Sequence, residues 1–228
     1  MLIYAHRGAS HDFPEMSRAA YLGAIEQSAD GFECDLRLTR DRVLICWHDE
    51  NLKRIADSPL VVAKSTLAEL QRVCEIFTFD ELLELAITHK KNLALETKHP
   101  VPSGGLVETL LLEKLDSRKV AIGDAGIEIA IMSFSLMALR RLKKAPYTKV
   151  YLIAHRWQRV LGILSKDIFS AFGPGIFLLR DDPSFAAKLR SKRDRLFIWT
   201  VNSAPDLEIA QGAGASVVIS DKPGQLKG

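Results

Sequence analysis

The sequence predicts a (β/α)₈ barrel, an α/β fold in which eight parallel strands alternate with helices. Short apolar segments that suit strands alternate with helical patterns along the 228 residues. Charged residues directly follow several of these segments, as in His6-Arg7 and His48-Asp49. In such folds the downstream ends of the strands share one face, which is the face that binds ligands. The sequence therefore predicts a barrel with one polar site.

The amino-terminal part predicts two strands with a helix between them. Leu2–His6 is a short apolar run, and Gly31–Leu36 alternates acidic with apolar side chains, which is the period of a strand. Ser17–Ser28 carries apolar residues at helical spacing, after a loop that contains Gly8 and Pro14.

The next part of the chain contains two helix starts. Val43–His48 is an extended run that lies outside the regular alternation. Thr66-Leu67-Ala68-Glu69 has the capping-box pattern, in which a threonine and a glutamate three residues later bind the first free amides of a helix. It predicts a short helix over Leu67–Arg72. Thr78-Phe79-Asp80-Glu81 repeats the pattern and predicts a helix over Phe79–Lys90.

From Asn92 onward, predicted strands alternate with predicted helices; Asp182-Pro183 and Ser203 with Pro205 are helix starts, and Gly212 or Gly214 ends the last of these helices. The predicted strands are Asn92–Thr97, Ile127–Ser133, Lys149–Ala154, Asp167–Ala171, Leu196–Val201 and Val217–Ser220. The predicted helices are Leu106–Leu115, Leu136–Lys144, Trp157–Ser165, Asp182 to about Lys192, and Ser203 to Gly212 or Gly214. With Val43–His48 set aside, eight strands are present, and Lys222–Gly228 leaves only a truncated last helix.

Composition narrows the class of protein. An apolar content of 47% fits a soluble globular domain, and no apolar run approaches the ~20 residues of a membrane span. The net charge of +3 gives no nucleic-acid signal. Cys34, Cys46 and Cys74 lack the spacing of a metal site and predict free thiols in a cytoplasmic protein. We see no signal peptide, repeat or linker, and expect one domain over residues 1–228.

Strand alternation sorts the charged residues. Glu33 and Asp35 share one face with Cys34 opposite, and Glu96 and Lys98 share a face in the same way. If these faces point into the barrel mouth, three carboxylates meet there and repel one another. A hard divalent cation such as Mg²⁺ or Ca²⁺ would relieve that repulsion, because it prefers oxygen ligands.

Cations and imidazoles are expected beside that ion. Arg7, with its planar fork, and Lys98, as a point charge, suit a phosphate group. His6 and His48 can exchange protons near neutral pH. These groups together indicate metal-assisted cleavage of a phosphodiester.

The ordered motifs resemble those of the glycerophosphodiester phosphodiesterases over nearly the whole chain. The matching motifs are His6-Arg7-Gly8-Ala9, Pro14-Glu15, Glu33-x-Asp35, Thr39-x-Asp41, His48-Asp49, Asn51-Leu52-x-Arg54, Glu96-x-Lys98, Ser133-Phe134, Trp199-Thr200-Val201-Asn202 and Ser220-Asp221-Lys222-Pro223. The resemblance implies a barrel with a small insertion after the second strand, here about Val43–Phe77. It also implies hydrolysis of glycerophosphodiesters to glycerol 3-phosphate and an alcohol.

The resemblance implies roles for individual residues. These are His6 and His48 as the general acid and base, Glu33, Asp35 and Glu96 as metal ligands, Arg7 and Lys98 as phosphate contacts, and Phe134 and Trp199 as walls against the glycerol or the head group. The chain departs from the family at Glu15-Met16-Ser17, where Glu-Asn-Thr is usual, so a thioether replaces an amide that could donate hydrogen bonds. We expect Asp221 to cap the final loop.

Two alternatives stay open. A lysophospholipase D acting on lipid substrates would be favoured by an exposed apolar rim, for which Trp157, Leu161 and Ile163 are the candidates. A non-catalytic barrel that binds phosphate metabolites is motivated by Met16. The expected partner is a small-molecule glycerophosphodiester, with no nucleic acid and no stable membrane insertion, and a homodimer remains open.

Overall fold

The computed structural model of the protein describes residues 1–165, 167–191 and 195–227, with Ile163 described by its backbone alone. Its strands are β1 (Leu2–His6), β2 (Gly31–Leu38), β3 (Leu44–Cys46), β4 (Asn92–Thr97), β5 (Ile129–Ser133), β6 (Thr148–Ile153), β7 (Ala171–Pro174), β8 (Arg195–Ile198) and β9 (Val217–Ser220). Its helices are α1 (Arg18–Glu26), α2 (Lys53–Ala56), α3 (Leu67–Gln71), α4 (Phe79–Thr88), α5 (Leu106–Ser117), α6 (Lys119–Ala125), α7 (Leu136–Arg141), α8 (Gln158–Leu164), α9 (Ile176–Asp181), α10 (Ser184–Arg190), α11 (Ala204–Gly212) and α12 (Pro223–Lys227), with a 3-10 turn at Val62–Lys64.

Eight of these strands form a closed parallel ring. The order around the ring is β1-β2-β4-β5-β6-β7-β8-β9, and β9 pairs with β1 to close it. β3 lies outside the ring and pairs antiparallel with β2. The predicted (β/α)₈ barrel is therefore confirmed, with one extra strand in the segment predicted as an insertion.

Alternate residues of each strand point into the ring and fill it. The interior is packed with Tyr4, Ala94, Ala130, Met132, Val150, Leu152, Ala171, Phe197, Val217 and Ile219. The outer faces of the strands pack against the helices, as Phe32, Cys34 and Leu36 do on β2. The predicted register holds, because Cys34 lies in this outer layer and its neighbours Glu33 and Asp35 occupy the inward positions.

The insertion between β2 and α4 has a small core of its own. Its apolar residues Ile45, Trp47, Leu52, Val62, Leu70 and Ile76 pack together. Both predicted capping boxes form, since Thr66 and Thr78 each exchange hydrogen bonds with the glutamate three residues later. The insertion places His48, which follows β3, at the rim of the barrel.

The prediction of a strand at Asp167–Ala171 is wrong. The seventh strand of the ring, β7, runs instead through Gly173 and Pro174, residue types that usually interrupt a strand. The tight ring favours glycine here, because a Cβ on Gly173 would lie 2.6 Å from Leu152 Cδ2. Pro174 is the last residue of β7, where the lack of an amide hydrogen does not interrupt the strand. Its carbonyl still accepts a hydrogen bond from the Trp199 amide.

Sequence patterns also missed three of the described helices, α2, α6 and α9. α6 follows α5 without a glycine or proline to mark a boundary, and α9 starts at Gly175 with no side-chain cap. The predicted end of the helix after Asp182, at Lys192, lies outside the described residues. Within the described ranges, no helix has both the length and the apolar character needed to cross a membrane.

Candidate active site

Three carboxylates from neighbouring strands converge at the carboxyl end of the ring. Glu33 and Asp35 lie on β2 and Glu96 lies on β4, where its backbone is in register with that of Asp35. All three residues are buried. One oxygen from each lies within 4.8 Å of the others, so the three form a compact acidic cluster.

Burial and neighbouring charges move the pKa values of the three carboxyl groups apart. Burial and the nearby Asp35 carboxylate raise the pKa of Glu33 to about 7 and that of Glu96 to about 8. Burial acts on Asp35 in the same sense, but Lys98 and Arg7 outweigh it and lower the pKa of Asp35 to about 2. Lys98 Nζ lies 2.7 Å from Asp35 Oδ1 and 2.8 Å from Glu96 Oε1.

The acidic cluster fits a divalent cation. Asp35 Oδ2 is buried and accepts no well-aligned hydrogen bond, although Arg7 Nε lies only 3.0 Å from it. Two oxygens on opposite sides of a Mg²⁺ or Ca²⁺ ion are about 4–5 Å apart, which agrees with the separations in the cluster. Glu33, Asp35 and Glu96 are therefore the residues that could hold such an ion.

Each of the two predicted catalytic imidazoles is bound at Nδ1 by a carboxylate. His6 Nδ1 lies 2.6 Å from Asp221 Oδ1, and His48 Nδ1 lies 2.8 Å from Asp49 Oδ1. A carboxylate at Nδ1 keeps a proton on that nitrogen and leaves Nε2 free to react. His6 Nε2 lies 3.9 Å from Glu33 Oε2, beside the acidic cluster.

The surroundings move the pKa values of the two imidazoles in opposite directions. Burial lowers the pKa of His6, but the Glu33 charge and the hydrogen bond to Asp221 outweigh it, so the pKa is raised overall. Burial also lowers the pKa of His48, where attraction to Asp35 does not compensate and Lys98 adds to the effect.

Asp221 contacts the predicted catalytic His6, although the sequence analysis gave Asp221 a different role. Its carboxylate accepts hydrogen bonds from His6, from Ser10 Oγ at 3.1 Å and from Asn202 Nδ2 at 2.6 Å. The interpretation of Asp221 as a cap of the final loop is therefore wrong. Its position directly after the last strand was the signal that could have placed it at the mouth.

Ion pairs connect the first loop of the barrel to the insertion. Arg7 Nη1 lies 3.1 Å from Glu15 Oε1, and Arg54 binds both oxygens of Glu15. Arg54 Nε also donates to Asp49 Oδ2 at 2.6 Å. This network fixes Asp49, and hence His48, relative to the loop that carries Arg7.

These groups surround a cavity of about 230 Å³. It is lined by His6, Arg7, Glu33, His48, Glu96, Lys98, Met132, Phe134, Leu152, Trp199, Thr200 and Ile219. All the predicted site residues except Asp35 therefore face it. Asp35 touches it indirectly, through its contacts with Arg7 and Lys98.

The cavity has a charged side and an aromatic side. The charged groups come from β1, β2, β4, the residues that follow β1 and β4, and the insertion. The apolar wall comes from β5, β6 and β9 and from the residues that follow β5 and β8. Phe134 and Trp199 meet edge to face with ring centroids 5.6 Å apart. Trp199 is held in place because its Nε1 donates to the Gly173 carbonyl at 2.7 Å. Such a cavity suits a phosphate at one end and a carbon skeleton at the other.

Met16 lies next to the site but does not line the cavity. It is buried in the layer between strands and helices and has a positive φ of 54°. Its amide donates to the Arg7 carbonyl at 2.8 Å, so its backbone supports the loop that presents Arg7.

Comparison with known proteins agrees with the motif order. A model described as the glycerophosphoryl diester phosphodiesterase family matches residues 6–225. The chain is 30% identical over 245 residues to a glycerophosphodiester phosphodiesterase of Caldanaerobacter subterraneus subsp. tengcongensis, covering 99% of this chain and 96% of that protein. It is 29% identical over 248 residues to a probable glycerophosphodiester phosphodiesterase 1 of Mycobacterium tuberculosis, covering 99% of this chain and 90% of that protein.

Solved structures share the fold. A crystal structure of a glycerophosphodiester phosphodiesterase from Thermotoga maritima superposes with a TM-score of 0.82 at 24% identity, covering 100% of this chain and 97% of that one. An Oleispira antarctica phosphodiesterase in complex with the product sn-glycerol-3-phosphate superposes with a TM-score of 0.79 at 22% identity, covering 100% of this chain and 95% of that one.

Proposed function

The chain belongs to the glycerophosphoryl diester phosphodiesterase family, and we propose that it hydrolyses glycerophosphodiesters to glycerol 3-phosphate and an alcohol with His6 and His48 as its acid and base. The observation that carries this proposal is the gathering of two imidazoles, each held at Nδ1, and three buried carboxylates around one cavity. The solved relative that holds sn-glycerol-3-phosphate supports the same product class.

Substrate binding follows from the two sides of the cavity. The phosphodiester lies at the charged end, where Arg7 and Lys98 are the cations that reach the cavity surface beside the acidic cluster. Phe134 and Trp199 pack against the carbon skeleton of the glycerol or of the head group. We propose that the phosphorus atom then lies between the two imidazoles.

The acid–base chemistry needs both histidines in each of two steps. In the first step, one Nε2 takes the proton from the glycerol hydroxyl next to the phosphate, whose oxygen attacks phosphorus. The other imidazole protonates the alcohol oxygen as its bond to phosphorus breaks. A cyclic phosphate results. Water then opens the ring with the two proton transfers reversed, which yields glycerol 3-phosphate.

The acidic cluster adds a divalent cation to this scheme. When bound to Glu33, Asp35 and Glu96, Mg²⁺ or Ca²⁺ supplies positive charge against the negative charge that builds up on the phosphoryl oxygens. The Asp35 carboxylate also positions Arg7 and Lys98, because both of these cations form an ion pair with it. Asp35 therefore orders the phosphate contacts as well as contributing to the acidic cluster.

We also propose a cellular compartment and a partner for the protein. Three cysteines are free thiols, namely Cys34, Cys46 and Cys74, and the first two are buried. Free thiols support a location in a reducing compartment such as the cytoplasm. The expected partner is the small-molecule substrate, without nucleic acid.

The direct test is release of glycerol 3-phosphate from a panel of glycerophosphodiesters and lysophospholipids, with and without added Mg²⁺ or Ca²⁺. We expect turnover that depends on the cation, and loss of turnover in His6→Ala and in His48→Ala with folding retained. Substantial activity in both variants would remove these residues from the acid–base role. Binding of glycerol 3-phosphate without turnover under any metal would favour a binding protein instead.

A further inference from the structure

The outer face of α8 carries a row of exposed apolar side chains, here called the α8 stripe: Trp157, Val160, Leu161 and Leu164. Their spacing of three and four residues places them on one side of the helix. Trp157 is 61% exposed and Leu164 is 77% exposed. Exposed hydrophobic residues on a protein surface are usually scattered singly, whereas these four share one side of a single helix.

 An exposed apolar row of this kind is typical of a surface that binds another protein or a membrane.

Among the described side chains of the same helix, the buried residues are Gln158 and Gly162. Gln158 is buried, and its Oε1 accepts hydrogen bonds from the amides of Ala154 at 2.8 Å and His155 at 2.7 Å. Gly162 allows close packing, because a Cβ there would lie 2.6 Å from the Phe172 ring. Among the described side chains of α8, the buried ones are therefore small or polar, and Val160, Leu161 and Leu164 are exposed.

Unpaired basic residues flank the α8 stripe. Arg140 and Lys143 line a groove of about 350 Å³ with Leu164, Ser165, Asp167 and Ile168. Within the described part of the chain, neither Arg140 nor Lys143 forms an ion pair, and the same holds for Arg159 on α8. We call Arg140, Lys143 and Arg159 the basic flank. Asp167 is the acidic group in the groove, so the flank keeps a net positive charge.

We propose that the α8 stripe and the basic flank dock the protein on an anionic phospholipid bilayer. Tryptophan and leucine side chains can enter the boundary between head groups and acyl chains. Arginine and lysine beside them can extend to the phosphates, each contributing about 1 kcal/mol at an anionic surface. A second copy of the chain is the less suitable occupant, because a twofold contact would bring the two basic flanks together.

One end of the α8 stripe, at Trp157, lies at the same end of the barrel as the cavity. Trp157 lies in the loop after β6, and the parallel strands of the ring end at the face on which the cavity opens. Phe177, on α9 after the next strand, is 40% exposed and packs against Trp199 with ring centroids 6.0 Å apart. Leu164 and the groove beside it lie towards the other end of the barrel, so docking brings lipid near the aromatic side of the cavity only at the Trp157 end of the α8 stripe. This last step, access for lysophospholipids, rests on the proposed function, whereas the docking does not.

The test is co-sedimentation with vesicles of phosphatidylcholine alone or mixed with phosphatidylglycerol. We expect the wild-type chain to bind the mixed vesicles, and added salt to weaken that binding. Leu161→Gln combined with Leu164→Gln, and Arg140→Glu combined with Lys143→Glu, should each lower the bound fraction about tenfold. Val120→Gln, at an exposed valine on α6, is the matched control and should bind normally.

Two results would overturn the docking proposal. One is equal vesicle binding by the wild type and both double variants. The other is a wild-type dimer in analytical ultracentrifugation that Leu164→Gln converts to a monomer, without any vesicle binding. Turnover of a soluble glycerophosphodiester is measured in parallel and should be the same in all variants. Vesicle binding without turnover in any of them would refute the proposed function and leave the docking intact.

Discussion

His6 Nδ1 lies 2.6 Å from Asp221 Oδ1, so the end of the first strand is joined to the end of the last one across 215 positions of the chain. The closure of the ring between β1 and β9 makes this contact possible. Asn202 and Ser10 also donate to the Asp221 carboxylate and fix its direction. His6 is thereby held with Nε2 towards the acidic cluster.

Asp221→Asn should lower kcat while leaving KM and cation affinity nearly unchanged. An asparagine amide can donate to Nδ1 and so force the proton of His6 onto the reactive Nε2. In a comparable Asp-to-Asn change in a serine protease the loss of kcat is about 10⁴-fold, and we expect about 10²- to 10⁴-fold here. Asp57→Asn, at an exposed aspartate, is the control.

The same variant should also change the pH profile of kcat/KM. The hydrogen bond to Asp221 is one of the causes that raise the pKa of His6. Its removal should therefore move the limb that reports His6 to lower pH. An unchanged profile together with unchanged kcat would show that Asp221 has only a structural role.

Cation binding should release protons at pH 6 and release none at pH 9. Without a cation, the pKa values of Glu33 and Glu96 are about 7 and about 8, so both carboxyl groups are largely protonated at pH 6. A cation binds only the ionised forms and displaces the protons, so affinity should increase with pH until both groups are ionised. Calorimetric titration in buffers of different ionisation enthalpy measures the number released. Affinity that stays flat from pH 6 to pH 9 would contradict these assignments.

Lys98→Met should strengthen cation binding and weaken phosphate binding. Lys98 Nζ contacts both Asp35 and Glu96, so its positive charge opposes a cation bound by the same carboxylates. We expect cation affinity to increase about tenfold and inhibition by glycerol 3-phosphate to weaken about tenfold. Lys53→Met, at an exposed lysine, is the control. Parallel loss of both affinities would instead indicate damage to the local fold.

Asp206→Asn should destabilise the fold without touching the cavity. Arg180 on α9 binds both oxygens of the buried Asp206 on α11, each at 2.6 Å. The variant should lose about 1–2 kcal/mol of unfolding free energy at pH 7, since Arg180 is half exposed and the pair is partly screened. Urea unfolding measures the change, and kcat should not differ from that of the wild type.

The same pair predicts a pH dependence of stability. The hydrogen bond and charge of Arg180 lower the pKa of Asp206 in the folded chain from its usual 3.8. The contribution is therefore complete above about pH 4 and disappears as the pH falls through the lower folded value. The difference in unfolding free energy between wild type and variant should shrink in this acid range. A difference that is constant down to pH 2 would contradict the ion pair.

Gly8→Ala should be much more damaging than Gly126→Ala. Both glycines have positive φ, of 81° and 67°, so each alanine meets a backbone penalty of about 1–2 kcal/mol. A Cβ on Gly8 would also lie 2.6 Å from the backbone carbon of Ala20, whereas Gly126 has open space. We expect Gly8→Ala to lower the melting temperature further and to reduce activity by displacing Arg7. Equal effects of the two substitutions would contradict this packing of the first loop.

The sequence by itself determined the parts of the protein that depend on local pattern. Leu2–His6, Asn92–Thr97 and Val217–Ser220 are strands with the predicted bounds, because runs of apolar residues between polar loops have few other ways to be buried. The capping boxes at Thr66 and Thr78 were predictable because their hydrogen bonds join residues three apart. The alternation of Glu33 and Asp35 gave their common face for the same reason.

The tertiary structure decided what depends on contacts between distant residues. β7 is a strand because its neighbours in the ring supply hydrogen bonds and fit a glycine, although its own residues disfavour that state. His48 reaches the cavity through the packing of an insertion. Asp221 meets His6 because eight strands close into a ring. Local propensity carries no information about such pairings, since they are fixed by the energy of the whole packed barrel.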